Sequence, residues 1–184
     1  KSNVSANTET KALFKDTVGT VNTNGLDIIT DYKTMRAYQE TGVVRVVAAS
    51  AAAQATSGAK MNADFTSGID SLTGLTIDNV GKTKIETAKA LISGDAGKIK
   101  AESEASSVEV SGLGAYAGTF ANAENTAKSQ TYLKAKEHKA DSLDINSYLN
   151  SKAYADVDST KVTVIVGVNS IGFDAKDTSN LDLV

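Results

Sequence analysis

Not one proline occurs in the 184 residues, where average usage of about 5% would supply roughly nine. Each proline deletes a backbone donor and interrupts a ladder of paired strands, so its absence favours long, unbroken backbone pairing. The side chains point the same way. Ala, Ser, Thr, Gly and Asn make up about half of the chain, and Leu, Ile, Val and Phe only about a fifth. That stock cannot fill a thick globular core. It can line a narrow one spread along the length of a repetitive fold.

Several function classes fall away on counting. There are 19 Lys+Arg against 22 Asp+Glu, a formal charge of −3, which excludes a basic nucleic-acid footprint. There is no cysteine and a single histidine, His138. Disulfide frameworks, thiolate chemistry and two-histidine metal sites are therefore excluded. No apolar run approaches the roughly 18 residues of a membrane helix, and no signal peptide is visible at Lys1.

Three segments share a theme. One runs Leu26-Asp27-Ile28 to Arg36-Ala37-Tyr38, and a second runs Leu143-Asp144-Ile145 to Lys152-Ala153-Tyr154. A truncated third is Leu181-Asp182-Leu183, with weaker relatives at Leu75-Thr76-Ile77-Asp78 and Lys98-Ile99-Lys100-Ala101. β-Branched runs follow: Val43 to Val47, Val108-Glu109-Val110, and Val162 to Val166. Such short runs, trailed by glycine or alanine, read as strands. From Lys98 to Ser106 the pattern alternates with period two, which points Ile99, Ala101, Ser103 and Ala105 inward. Turn signals stand at Asn24-Gly25, Ser57-Gly58, Ser67-Gly68 and Ser93-Gly94-Asp95.

Two stretches stay open between helix and strand. Thr83-Lys84-Ile85-Glu86 has capping-box form, and Ile85, Ala88, Leu91 and Ile92 share a helical face ended by Gly94. This allows a helical insertion near 83–94. Residues 126–139 are rich in Ala, Lys and Glu. They suit a helix, or solvated strands with Thr131 and Leu133 facing inward. The alanines from Ala48 to Ala55 favour helix by propensity, but their place in the repeat argues for strand.

These features predict an all-β fold, a parallel β-helix, with loop or short-helix insertions, over residues 1–184 as one segment. Each coil stacks on the last, and like side chains form columns along the axis. At about 20 residues per turn the chain would make roughly nine turns and a rod of about 40 Å. Ile28, Ile99 and Ile145 are expected to share one column. The chain starts in mid-pattern and stops on an opening Leu-Asp-Leu, the mark of a piece of a longer repeat array.

The degenerate Ala/Ser/Thr/Asn/Val/Gly repeats, the Leu-Asp-Ile strand starts and the Val162–Asn169 run resemble the filamentous-haemagglutinin type of large secreted bacterial protein. The closest look-alikes are the β-helical shafts of two-partner-secreted or autotransported adhesins and the large leukotoxins. The resemblance implies a right-handed β-helix, export to the bacterial surface or medium, an outer-membrane exporter for the full-length protein, and contact with a host cell-surface protein or glycan.

Chemical motifs are sparse. Gly81-Lys82-Thr83 lacks the glycine five residues earlier that a phosphate loop needs, so it reads as a turn. His138 lies in a charged run and is expected to be solvated, with a pKa drawn down by Lys136 and Lys139. Asp156, Asp158 and Asp174 to Asp177 offer carboxylates but no calcium-loop spacing, and read as turn residues. No catalytic, metal or cofactor site is assigned. Tyr32, Tyr38, Tyr148 and Tyr154 recur in the repeat and form a candidate binding face, with packing under loops as the alternative. The expected role is a non-enzymatic structural and interaction segment of a secreted virulence protein. A polysaccharide lyase or hydrolase on the same scaffold is the alternative. A helical surface-layer or coiled-coil protein would need heptads, and none is sustained.

Overall fold

The computed structural model describes residues 1–163 and 166–184. It contains eleven β-strands and one turn of 3-10 helix. Among the described residues every strand pairing is parallel. The strands run in the order β1 (Ser2–Lys15), β2 (Gly19–Thr23), β3 (Leu26–Tyr32), β4 (Met35–Val47), β5 (Ser50–Asn79) and β6 (Lys82–Ala90). After the 3-10 turn Asp95–Gly97 come β7 (Ile99–Ser111), β8 (Gly114–Lys139), β9 (Ser142–Ser147), β10 (Ser151–Thr163) and β11 (Val166–Leu183). They build three sheets. The first stacks β1 and β2 on β5, then β8, then β11; the second is β3-β6-β9; the third is β4-β7-β10. The chain thus winds from first sheet to second to third and back, a parallel β-helix of three coils plus the opening strand of a fourth.

The coils are far longer than 20 residues. Ser57 sits beside Ala121, 64 residues on, and Ala121 beside Phe173, 52 residues on. At about 4.8 Å per coil the stack is roughly 15–20 Å tall and broad in cross-section. The reason lies in the small-residue segments. Ser57-Gly58 is not a turn but the middle of β5, and residues 126–139 continue β8 as strand. With no bulky or proline stop, one strand covers what sequence patterning divides into several turns. Residues 83–90 form strand, not helix. The helical spacing of Ile85 and Ala88 arises at a bulge: Ile29 pairs with Glu86 but Asp31 with Lys89. The extra residue, Ala88, takes a left-handed φ of 55°, and its N–H donates to Thr30 Oγ1 at 3.1 Å. Gly94 leads into the 3-10 turn instead of closing a helix.

The repeat theme survives as true columns. Leu26, Thr83 and Leu143 align, as do Ile28, Ile85 and Ile145. Ile99 does not belong there. It pairs with Met35 and Ser151 in the third sheet. Leu181-Asp182-Leu183 lies in β11, beside Ser129 to Thr131, and Leu75 to Asp78 lies at the end of β5, so neither is equivalent to Leu26-Asp27-Ile28.

The interior has two characters. Where the second leg of β5 faces the second sheet, Ile28, Ile69, Leu75, Ile77 and Ile85 pack together. Where the first sheet faces the third, the filling is small: Ala55, Ala105 and Ala121 at one end, and Ala37, Ala63, Ala101 and Ala123 with Phe65 and Met61 towards the middle. Buried hydroxyls bridge the sheets in pairs, Thr87 to Thr131 at 2.6 Å and Ser107 to Thr119 at 2.5 Å. Where such pairs form, Ser and Thr occupy core positions with their donors satisfied, and small polar residues replace large apolar ones, although Ser103 Oγ and Thr41 Oγ1 are buried without a partner. As the alternation implies, Ile99, Ala101, Ser103 and Ala105 are buried. Thr131 is buried, and Leu133 packs against the isoleucine cluster. No helix among the described residues is long and apolar enough to cross a membrane.

Candidate functional site

The outer face of the third sheet carries the most ordered side-chain pattern on the molecule. Because β4, β7 and β10 stay in register throughout, every second residue contributes to a row running along the axis. The first row is basic: Arg36, Lys100 and Lys152. The next is Tyr38, Glu102 and Tyr154, and the third is acidic, Glu40, Glu104 and Asp156. Gly42, Ser106 and Asp158 follow. The last two rows are nearly all valine: Val44, Val108 and Thr160, then Val46, Val110 and Val162.

The basic row is internally neutralised. Arg36 pairs with Glu102, and Lys100 contacts Asp95 and lies 3.5 Å from Glu102. Asp95, from the 3-10 corner, also draws Lys98 to 3.6 Å and Lys152 to 3.8 Å. The Lys100 hydrogen bond holds the Asp95 carboxyl below its usual range, against an opposing contribution from burial. Lys100 and Glu102 are themselves buried, because the coils on either side cover their stems.

The tyrosines serve the carboxylates. Tyr38 OH donates to Glu40 and Glu104, each at 3.0 Å. The bond to Glu40, then burial, then the bond to Glu104 push the phenol up to about 12. The Arg36 guanidinium lies 4.2 Å from the centre of the Tyr38 ring, and Lys152 Nζ lies 5.4 Å from that of Tyr154. The negative field of Asp156 raises the Tyr154 phenol.

Of the four candidate tyrosines, Tyr38 and Tyr154 share this row, two coils apart. Tyr32 does not belong to a surface ladder. It is buried against Phe65, with ring centres 5.4 Å apart, and its OH donates to Gly97 O at 2.8 Å. Tyr148 is exposed beyond the end of β9, away from the row, with its backbone N–H donated to Thr87 O.

Other candidates settle elsewhere. His138 is half-buried, not solvated, and its Nε2 lies 3.1 Å from Thr83 Oγ1. Its pKa is lowered by burial instead of by neighbouring lysines. Asp156 and Asp158 lie within β10 and Asp174 to Asp177 within β11, so these are strand and not turn carboxylates. Of Gly81-Lys82-Thr83, only Gly81 lies in the turn before β6; Lys82 and Thr83 are already strand. The Val164-Ile165 part of the valine run lies outside the described residues. Among the described residues no group of three or more His, Asp or Glu is placed to hold a metal ion.

Two residues escaped the sequence reading. Asn79 is buried at a corner, accepting from Gly25 N at 2.8 Å and Gly81 N at 2.9 Å and donating to Thr83 Oγ1 at 2.8 Å. The nearby Gly81, echoing Asn24-Gly25 one coil earlier, was its only signal. Glu109 is fully buried, and its Oε2 accepts from Ala53 N at 3.2 Å. Its inward direction follows from the alternation of β7 carried on past Ala105.

Comparison with family models, with curated proteins and with solved structures finds no match for the chain.

Proposed function

We propose that this chain is a non-enzymatic structural and interaction segment of a large secreted bacterial protein of the adhesin or leukotoxin type. In this role it would reach the surface or medium through an outer-membrane exporter and contact a host cell-surface protein or glycan. The observation that supports the reading is the third sheet's unbroken register, which holds six rows, from basic through acidic to valine, in fixed order on one face. A stacked scaffold held in register in this way presents side chains with little entropy left to lose on contact.

The test is binding of the fluorescently labelled chain to cultured mammalian epithelial cells and leukocytes. Saturable binding, displaced by unlabelled chain, is the expected outcome. Absence of saturable binding to either cell type overturns the reading. So does depolymerisation of a polysaccharide by the purified chain when a single carboxylate substitution abolishes it, since that result belongs to the lyase or hydrolase alternative.

A further inference from the structure

We infer that the outer face of the third sheet docks an extended polypeptide segment that carries cationic side chains at one end and aliphatic side chains at the other. The inference deepens the reading of this chain as an interaction module and rests on it.

The basic row is spent on Glu102 and Asp95. Among the described residues no cation pairs with the acidic row: Tyr38 OH donates to Glu40 and Glu104, Tyr154 hydrogen-bonds Asp156, and Asp156 Oδ1 accepts the N–H of Val157. Glu104 stands between Glu40 and Asp156 on adjacent strands. Like charges directly opposite one another across a strand pair are destabilising, and a partner's ammonium or guanidinium groups would relieve that repulsion.

Beyond the row of Gly42, Ser106 and Asp158 lies the valine strip. Val44 is 74% exposed, Val46 69% and Val162 57%. An outward strip of β-branched side chains on a flat sheet loses its contact with water only under a partner. The first valine row lies four positions along the strand from the acidic row, about 13 Å in an extended chain. The two features therefore match the two ends of one extended segment lying along the strands.

The chemistry selects a polypeptide. Anionic membranes and nucleic acids are repelled by the carboxylates next to the strip. A glycan would need free aromatic faces, but Arg36 covers the Tyr38 ring and Lys152 approaches that of Tyr154. The aliphatic strip offers a sugar no hydrogen bond.

The experiment titrates the intact chain with fluorescent ten-residue peptides bearing a Lys pair and a Val/Ile cluster, the spacing scanned from one to six residues. Binding is expected to peak at a spacing of about four residues. It should weaken at least tenfold on E40Q/E104Q/D156N, by a similar factor on V44S/V46S, and progressively with added salt. All the substituted side chains are on the outer face, and thermal denaturation verifies that each variant remains folded. Binding that ignores spacing, or that survives both sets of substitutions, overturns the inference. So does face-to-face self-association of the chain in ultracentrifugation without peptide binding, or retention on a glycan array that V44S/V46S does not change. If cell binding persists in the triple carboxylate variant while the peptides fail, this inference falls and the interaction role stands.

Discussion

The side-chain oxygen of Asn79 accepts the backbone N–H of Gly25 from the preceding coil at 2.8 Å, and so adds a side-chain tie between two coils at a corner where Val80 N–H also donates to Thr23 O at 3.0 Å. The same oxygen accepts from Gly81 and the amide donates to Thr83. Asn79→Ala would leave partly buried donors without a partner, at a cost of about 1–3 kcal/mol each. The expected loss is about 2–4 kcal/mol in urea denaturation. Asn79→Asp keeps the acceptor and lets the Thr83 hydroxyl turn to donate, so it should lose less.

Gly68 takes φ +122° in the middle of β5, and a Cβ there would stand 1.9 Å from the carbonyl oxygen of Tyr132 on the next coil. Gly68→Ala is expected to destabilise by more than about 3 kcal/mol, since neither backbone can yield without breaking pairing. Gly58, in the same strand, is the control. Its added Cβ would meet the tip of the Asn3 side chain at 2.6 Å, which can swing away. Gly58→Ala should change the denaturation midpoint little.

The isoleucine column gives a graded test of stacking. Ile85 is fully buried between Ile28 and Ile145, whereas Ile145 on the edge strand is only half-buried. Ile85→Ala should cost about 2–5 kcal/mol. Ile145→Ala should cost clearly less, measured in the same denaturant series.

His138 makes stability fall on acidification. Burial lowers its pKa in the fold below the ordinary 6.5. The unfolded chain therefore takes up the proton first. The contribution is intact above about pH 6.5 and is lost as pH falls through that value towards the folded pKa. His138→Gln should flatten this limb of the stability–pH curve, read by thermal denaturation between pH 7 and 5.

Tyr38 acts at the other end of the scale. Its phenol is pushed up to about 12, so the unfolded chain ionises first as pH rises past about 10. The stability it contributes is present below that pH and is lost as pH climbs towards 12. Absorbance titration of the phenolates should show one tyrosine of this late class disappear in Tyr38→Phe.

Much of the architecture was legible because period-two patterning is a local property. The inward set of β7 and the alignment of Arg36-Ala37-Tyr38 with Lys152-Ala153-Tyr154 could be read from the residues alone. Coil length could not. It depends on where a strand bends, and with small residues throughout, Ser57-Gly58 in mid-strand looks no different from Asn24-Gly25 at a corner. Tyr32 went astray for a related reason. Its place in the theme matched Tyr148, but only the packed fold brings Phe65 and Gly97 to it. The acidic and valine rows were invisible as a surface, because they arise from three strands distant in sequence.

The corner between β6 and β7 holds Leu91 to Lys98, whereas the matching corner of the coil before holds only Lys33 and Thr34. The sheets on either side keep their alignment despite this difference. The scaffold therefore tolerates length changes there as a hinge pin tolerates a washer. Foreign peptides grafted between Leu91 and Gly94 should be carried as cargo, with the flanking faces undisturbed.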